Sequence, residues 1–238
     1  MESSRENTAH SPNRSRTLVV MAKAPRPGMV KTRLAQAFPL EAVTELYRCL
    51  LENPLALATS LASVEVAVVC PESDQDELAH LLGNTVQVVA QKGEGLAARL
   101  TSVFRHFTSA GRQHLIAFNS DSPHLAPSVL DSAFEVLVTH DVVVGPTHDG
   151  GYYLVGAKAA HPSLFEGDSM GKKSALDRLL TRTKVLELST GFTEPFYDID
   201  VTNDLILLRQ ELRLAPEKAP RTAAWLSEWG KAVGVADL

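Results

Sequence analysis

Leu18-Val19-Val20-Met21-Ala22, running straight into Lys23-Ala24-Pro25-Arg26-Pro27-Gly28-Met29-Val30-Lys31-Thr32-Arg33, decides how the rest of this chain is read. The first five residues are apolar, partly β-branched and unbroken, as in a short buried strand. The strand cannot continue. Two prolines remove backbone donors and fix φ, and Gly28 permits a tight turn. Lys23, Arg26, Lys31 and Arg33 therefore sit on a stiff loop at the carboxyl end of a first strand, where open α/β sheets bind ligands. A solvated basic turn is the plain alternative. Four cations within eleven residues of a chain with net charge −5 point instead to contact with a polyphosphate.

Outward from this loop, strand-like and helix-like segments alternate. Helical patterns cover 39–62 (broken or bent near Asn53-Pro54), 74–82, 96–107, 127–138, 173–182 and 204–212, and a last helix carries Trp225 and Trp229. Strand patterns cover 64–69, 86–90, 114–118, 141–145, 152–156 and 185–188. Alternation of this kind predicts a three-layer α/β/α protein with a mostly parallel, Rossmann-like sheet. Residues 1–16 are polar and predict a disordered tail, with no signal peptide, ahead of one domain over 17–238. The acidic balance argues against a nucleic-acid partner. No apolar run approaches the roughly 20 residues that cross a bilayer. Cys49 and Cys70 have no disulfide or metal spacing, as expected of a cytoplasmic protein.

In a parallel sheet the loops after the strands share one cleft. Asp121 follows the apolar strand Leu115-Ile116-Ala117-Phe118, and Pro123 stiffens its loop. Asp198-Ile199-Asp200 places two carboxylates on one side of an extended segment. Together the three could hold Mg²⁺ or Mn²⁺, hard cations that take carboxylates alongside phosphate oxygens and water. Other roles are open: Asp200 could cap the following helix, although Thr202 is the better candidate, and Asp121 could close an Asx turn. Singly, each aspartate is as well explained by structure as by chemistry. Placed together opposite a cationic loop, they favour chemistry.

Between them lies Gly145-Pro146-Thr147-His148-Asp149-Gly150-Gly151-Tyr152-Tyr153. Asp-Gly is a hairpin signal and accounts for the glycines. Glycine also lets a ligand approach the backbone, so Thr147, His148, Asp149, Gly150 and Gly151 are candidates for substrate contact.

Three motifs fail. Gly93-Glu94-Gly95-Leu96-Ala97-Ala98 has the form of a dinucleotide fingerprint, but it is not in the first βαβ unit and no acid follows at the right distance. In Gly28-Met29-Val30-Lys31-Thr32 the lysine does not directly follow glycine, as a P-loop requires. Gly167-Asp168-Ser169-Met170-Gly171 lacks a strong preceding strand and a later histidine for a hydrolase triad. The eight histidines show no zinc spacing.

With Met21–Leu34, Asn119–Pro123, Gly145–Leu154 and Asp198–Asp200 in this order, the chain resembles the GT-A type nucleotide-diphospho-sugar transferase superfamily. More narrowly it resembles the DUF2064, or CofC-like glycosyltransferase, branch, over about residues 17–210. The resemblance implies that Lys23, Arg26, Gly28, Lys31 and Arg33 bind nucleotide phosphates. It puts Gly95 and Arg99 near base or substrate, and Asp121, Asp198 and Asp200 on the metal. One departure is the segment 167–173, where the family often has Trp before Ser or Thr; acceptor identity is therefore not transferred. The implied reaction is glycosyl transfer from a nucleotide sugar to a small acceptor, with Lys31 and Asp149 as catalytic groups, Asp149 acting as base or orienting the acceptor. The rival is nucleotidyl transfer from a nucleoside triphosphate to a phosphorylated molecule, releasing pyrophosphate. The number of cations favours this rival and the family branch favours glycosyl transfer. A non-catalytic nucleotide-binding protein is the third possibility.

Overall fold

The structure is a computed structural model that describes residues 16–166 and 175–229. Most of the expected tail and the whole of 167–173, including the rejected hydrolase-like motif, lie outside the described residues. Among the described residues, seven strands form one sheet: β1 (Thr17–Met21), β2 (Glu65–Pro71), β3 (Gln87–Gln91), β4 (Leu115–Asn119), β5 (Val142–Pro146), β6 (Tyr152–Ala157) and β7 (Thr190–Phe192). Their order is β3-β2-β1-β4-β6-β5-β7. All pairings are parallel except those of β6, which runs antiparallel to both β4 and β5. The turn 147–151 makes β5 and β6 a hairpin, and the hairpin reverses β6.

Among the described residues there are seven α-helices: α1 (Leu40–Ser60), α2 (Gln75–Leu82), α3 (Gly95–Ser109), α4 (Pro127–Thr139), α5 (Ala175–Val185), α6 (Thr202–Leu214) and α7 (Pro220–Trp229). Period-two alternation in β1 sends Leu18 and Val20 to one layer and Val19 to the other. Leu18 and Val20 pack with Leu51, Leu78, Phe118, Leu130 and Phe134, from α1, α2, β4 and α4. Val19 packs with Leu100, Phe104, Val155 and Leu179, from α3, β6 and α5. Each such side chain is fully buried and contributes about 1.5–3 kcal/mol by leaving water. A third cluster, including Phe38, Leu46, Ile199, Leu208 and Trp225, docks α6 and α7 on the first half of α1. It fixes the Asp198–Asp200 segment beside the end of β1.

Two expectations need correction. Helix α1 runs unbroken through Pro54. Asn53 adds local support: its Nδ2 donates to the Cys49 carbonyl (2.9 Å) and to Thr222 Oγ1 on α7 (2.7 Å). Val185–Leu188 is not a strand. Val185 ends α5, and the Leu186 and Leu188 N–H groups bond back to Arg182 and Thr183. The true edge strand, β7, follows. A four-residue apolar run cannot by itself distinguish a helix end from a strand.

Candidate active site

Strand order reverses at β1: β2 and β3 extend to one side, β4 to the other. At such a switch point, loops leave adjacent strands in different directions and open a crevice. Here the crevice lies between the loops after Met21 and Asn119.

The loop after β1 is fastened before it reaches the crevice. Ala24 N–H donates to Asp74 Oδ2 (2.9 Å). Arg26 pairs with Asp74 (2.8 Å) and Glu77 (2.6 Å), and also donates to the Ser73 carbonyl. Met29 N–H then bonds to the Arg26 carbonyl, with Pro27 and Gly28 (φ +75°) at the corner. Proline followed by a positive-φ glycine is the type II turn signature. The turn delivers Lys31, itself at φ +44°, to the crevice.

There the Lys31 ammonium is 2.9 Å from Asp121 Oδ1 and 2.9 Å from Asp200 Oδ1, with its side chain only 6% exposed. Burial acts to lower its pKa, but Asp121 and Asp200 outweigh burial and raise it, so Lys31 is charged at neutral pH. Arg33, 71% exposed, approaches Asp200 Oδ2 at 3.6 Å. Asp198 accepts from Asn119 Nδ2 (2.8 Å) and Ser122 Oγ (3.0 Å). Burial, helped by the charge of Asp121 and only partly offset by these donors, lifts its carboxyl to about 6. Ile199 N–H bonds to the Asp121 carbonyl (2.9 Å), joining the two acidic segments.

Helix α6 is capped differently from expectation. Its N-cap position is Val201, whose side chain cannot accept, and Thr202 is the first helical residue. Asp204 Oδ2 instead accepts from the backbone N–H groups of Asp200 (2.7 Å) and Val201 (2.8 Å). The Asp200 carboxylate is consequently not used as the cap.

The resulting cleft has a volume of about 500 Å³, within the range of small-ligand sites. Lys23, Lys31, Arg33, Arg99, Asp121, Asp198, Asp200, Thr147, Asp149 and Gly151 all line it. Arg26, Gly28, Gly95, His148 and Gly150 are not among its lining residues. Arg26 and Gly28 shape the loop, and Gly95 begins α3. His148 N–H bonds to the Phe196 carbonyl, and the Gly150 carbonyl accepts from Leu176 N–H. Asp149 Oδ1 accepts from Thr147 Oγ1 (2.6 Å) and Gly151 N–H (3.2 Å), so its carboxylate is oriented by the turn itself. A Cβ on Gly151 would lie 2.8 Å from Thr147 Oγ1, so this position requires glycine for space.

The carboxylates supply hard oxygen donors of the kind that Mg²⁺ and Mn²⁺ take. Asp121 and Asp200 meet at one cation position, the place held by the Lys31 ammonium. Among the described residues, no three His, Cys, Asp or Glu side chains are gathered closely enough to hold a metal together. The pair fits a divalent ion in chemistry, and Asp198 lines the same cleft.

Several cleft residues escape sequence reasoning. Asn119 and Ser122 position Asp198, and their place beside Asp121 in one polar loop is the only signal. Tyr47 accepts from Lys23 N–H (2.9 Å) and lines the cleft, yet on α1 it has the pattern of a core residue. Gln91 and Tyr152 also line it, Gln91 from the last position of β3 and Tyr152 from the first of β6.

The profile of the family described as "uncharacterized protein conserved in bacteria (DUF2064)" matches residues 55–172. No curated protein sequence matches the chain. Among solved structures, a candidate nucleotide-diphospho-sugar transferase from Desulfovibrio desulfuricans G20 superposes with a TM-score of 0.86 at 23% identity, covering 94% of this chain and 99% of that one. The inositol-1-phosphate CTP transferase of T. maritima gives a TM-score of 0.53 at 15% identity, covering 89% and 96%. A manganese complex of Rv0371c from Mycobacterium tuberculosis H37Rv gives 0.52 at 17%, covering 82% and 97%. At these identities the shared property is the fold. Over residues 55–172 the chain matches the DUF2064 family model, and it has the α/β fold of the nucleotide-diphospho-sugar transferases.

Proposed function

We propose that this protein is a divalent-metal-dependent transferase that uses a nucleotide-activated donor and transfers a glycosyl group from a nucleotide sugar to a small acceptor. One observation carries the proposal: Lys31 and Arg33 converge with Asp121, Asp198 and Asp200 on a single cleft at the ends of β1 and β4. Lys23, Lys31 and Arg33 bind and orient the donor phosphates. Asp121 and Asp200 hold Mg²⁺ or Mn²⁺, with Asp198 supporting them. When bound, the ion would offset the negative charge that builds on the departing diphosphate. The acceptor hydroxyl forms a bond to the anomeric carbon as the bond from that carbon to the diphosphate oxygen breaks. Asp149, already aimed by Thr147 and Gly151, orients the hydroxyl and takes its proton. Arg99 contacts the base or the sugar. A cytoplasmic location fits the unpaired thiols of Cys49 and Cys70. Among the described residues, no helix is long and apolar enough to cross a membrane.

Nucleotidyl transfer is the second reading. Four cationic side chains in the cleft exceed what a diphosphate needs, and the fold is shared with a CTP transferase. A product assay separates the two. With Mg²⁺ and a panel of nucleotide sugars and small acceptors, glycosyl transfer releases nucleoside diphosphate. Release of pyrophosphate from a nucleoside triphosphate and a phosphorylated acceptor, with no reaction of any nucleotide sugar, would overturn it.

A further inference from the structure

Building on the metal-dependent function proposed above, we infer that Lys31 is a displaceable internal cation that occupies the metal position of the ligand-free protein and leaves it only when a donor phosphate offers the ammonium a new partner. Metal and donor would then bind cooperatively, and the metal alone would bind weakly.

The geometry supports this directly. The ammonium nitrogen lies at the meeting point of Asp121 Oδ1 and Asp200 Oδ1, 2.9 Å from each. An ion coordinated by the same two oxygens, at roughly 2.0–2.1 Å for Mg²⁺, would occupy nearly the same point. Two cations cannot share that space. The lysine is well placed to move. Its backbone is held, since Leu34 N–H bonds to its carbonyl (2.9 Å) and the preceding turn is fixed by Arg26. Its four-carbon stem is flexible, and its ammonium is a compact point charge without a planar bonding geometry. The cleft around it is large enough to receive it together with phosphate oxygens, and Arg33 stands on the same side.

Energetics give the coupling its sign. Without donor phosphate, an incoming ion must expel an ammonium that is 6% exposed and bonded to two carboxylates, and the ammonium loses both partners. With donor phosphate present, the expelled ammonium keeps an anionic partner. The difference is a coupling free energy, and by linkage the metal must raise donor affinity by the same factor. Couplings of this kind are commonly about 5–150-fold.

Mn²⁺ is the probe, titrated without nucleotide and read by the electron paramagnetic resonance of the free aquo ion. Wild type is expected to bind Mn²⁺ at least about tenfold more weakly than Lys31→Met, whose carboxylate pair has lost its internal cation. Combining Lys31→Met with Asp200→Asn should abolish that gain. If Lys31→Met does not fold without metal, Lys31→Gln, equally uncharged, is read in the same way. Equal Mn²⁺ affinity in wild type and the variant would overturn the inference while leaving the metal site standing. A gain that survives Asp200→Asn would also overturn it. Absence of Mn²⁺ binding in every protein, even with a nucleoside diphosphate present, would reject the metal-dependent function itself.

Discussion

Replacing Lys31 by Met should destabilise the ligand-free, metal-free protein by about 2 kcal/mol, and the size follows from unequal exposure around the ammonium. Removing one partner of a fully buried ion pair costs about 3–5 kcal/mol, because the other charge is left without compensation. Exposed pairs contribute about 0–1 kcal/mol. Lys31 is buried and Asp121 is 29% exposed, whereas Asp200 is 53% exposed and keeps Arg33 nearby. Most of the penalty therefore falls on Asp121, and solvent reduces it to roughly half the fully buried value. Methionine keeps most of the buried stem, so little cavity cost is added. For a chain of 238 residues, about 2 kcal/mol corresponds to a fall in Tm of about 4–8 °C. Arg33→Met is the matched control: at 71% exposure and 3.6 Å from its partner, it should cost under about 1 kcal/mol. Both are measured by calorimetry and urea denaturation at pH 7 in the presence of a chelator. A Lys31→Met protein as stable as wild type, or no less stable than Arg33→Met, would refute the placement of a buried, doubly paired ammonium.

Two further outcomes test the surroundings of the cleft. Asp121→Asn and Asp200→Asn should each lower turnover by about 10²-fold or more while the far-ultraviolet dichroism is preserved, because each removes charge stabilisation at the leaving group; activity within a few-fold of wild type would remove both from the chemistry. His124 supplies a pH test. Its ring, 1% exposed, lies 4.6 Å from those of Phe196 and Tyr197, and neither ring nitrogen has a hydrogen bond. Burial, with a contribution from Lys218, depresses its pKa to about 4. The unfolded chain takes up this proton near pH 6.5 and the folded protein does not, so stability is full above pH 6.5 and falls as pH drops towards 4. The loss is on the order of 3 kcal/mol. Asp198 acts with opposite sign: its raised carboxyl stabilises in acid, and that contribution is lost as pH rises through about 6. Comparing wild type with His124→Phe cancels the shared Asp198 effect. The stability difference should shift in favour of the variant between pH 6.5 and 4, and a pH-independent difference would refute it.

Much of the fold is legible because its strands are short β-branched runs ended by proline, glycine or polar loops. The strand ending at Met21 and that ending at Asn119 both stop where the cleft begins, and the Asp-Gly turn foretells the hairpin that reverses β6. Strand order is not legible, since it depends on which faces pack together. The site shows the same division. Asp121, Asp198, Asp200, Lys23, Lys31 and Arg33 could be named from their charge and from the loops that carry them, and all six line the cleft. What each charge pairs with could not. Arg26 is drawn to Asp74 and Glu77, which lie about fifty residues away and meet it only once β1 and β2 are side by side. That Asp204 replaces Thr202 in capping α6 likewise depends on the path of the chain through Asp200. Local chemistry announces which residues carry charge, and the packed sheet decides how those charges are used.

The most direct measurement is equilibrium binding of nucleoside diphosphates by calorimetry, to wild type and to Lys31→Ala, each with and without Mg²⁺. Convergence of the cationic loop and the aspartates upon one activated donor predicts that wild type binds at least one nucleoside diphosphate about tenfold or more tightly with Mg²⁺ than without it, and that Lys31→Ala loses most of the affinity. Affinity indifferent both to Mg²⁺ and to the loss of Lys31 would contradict the account.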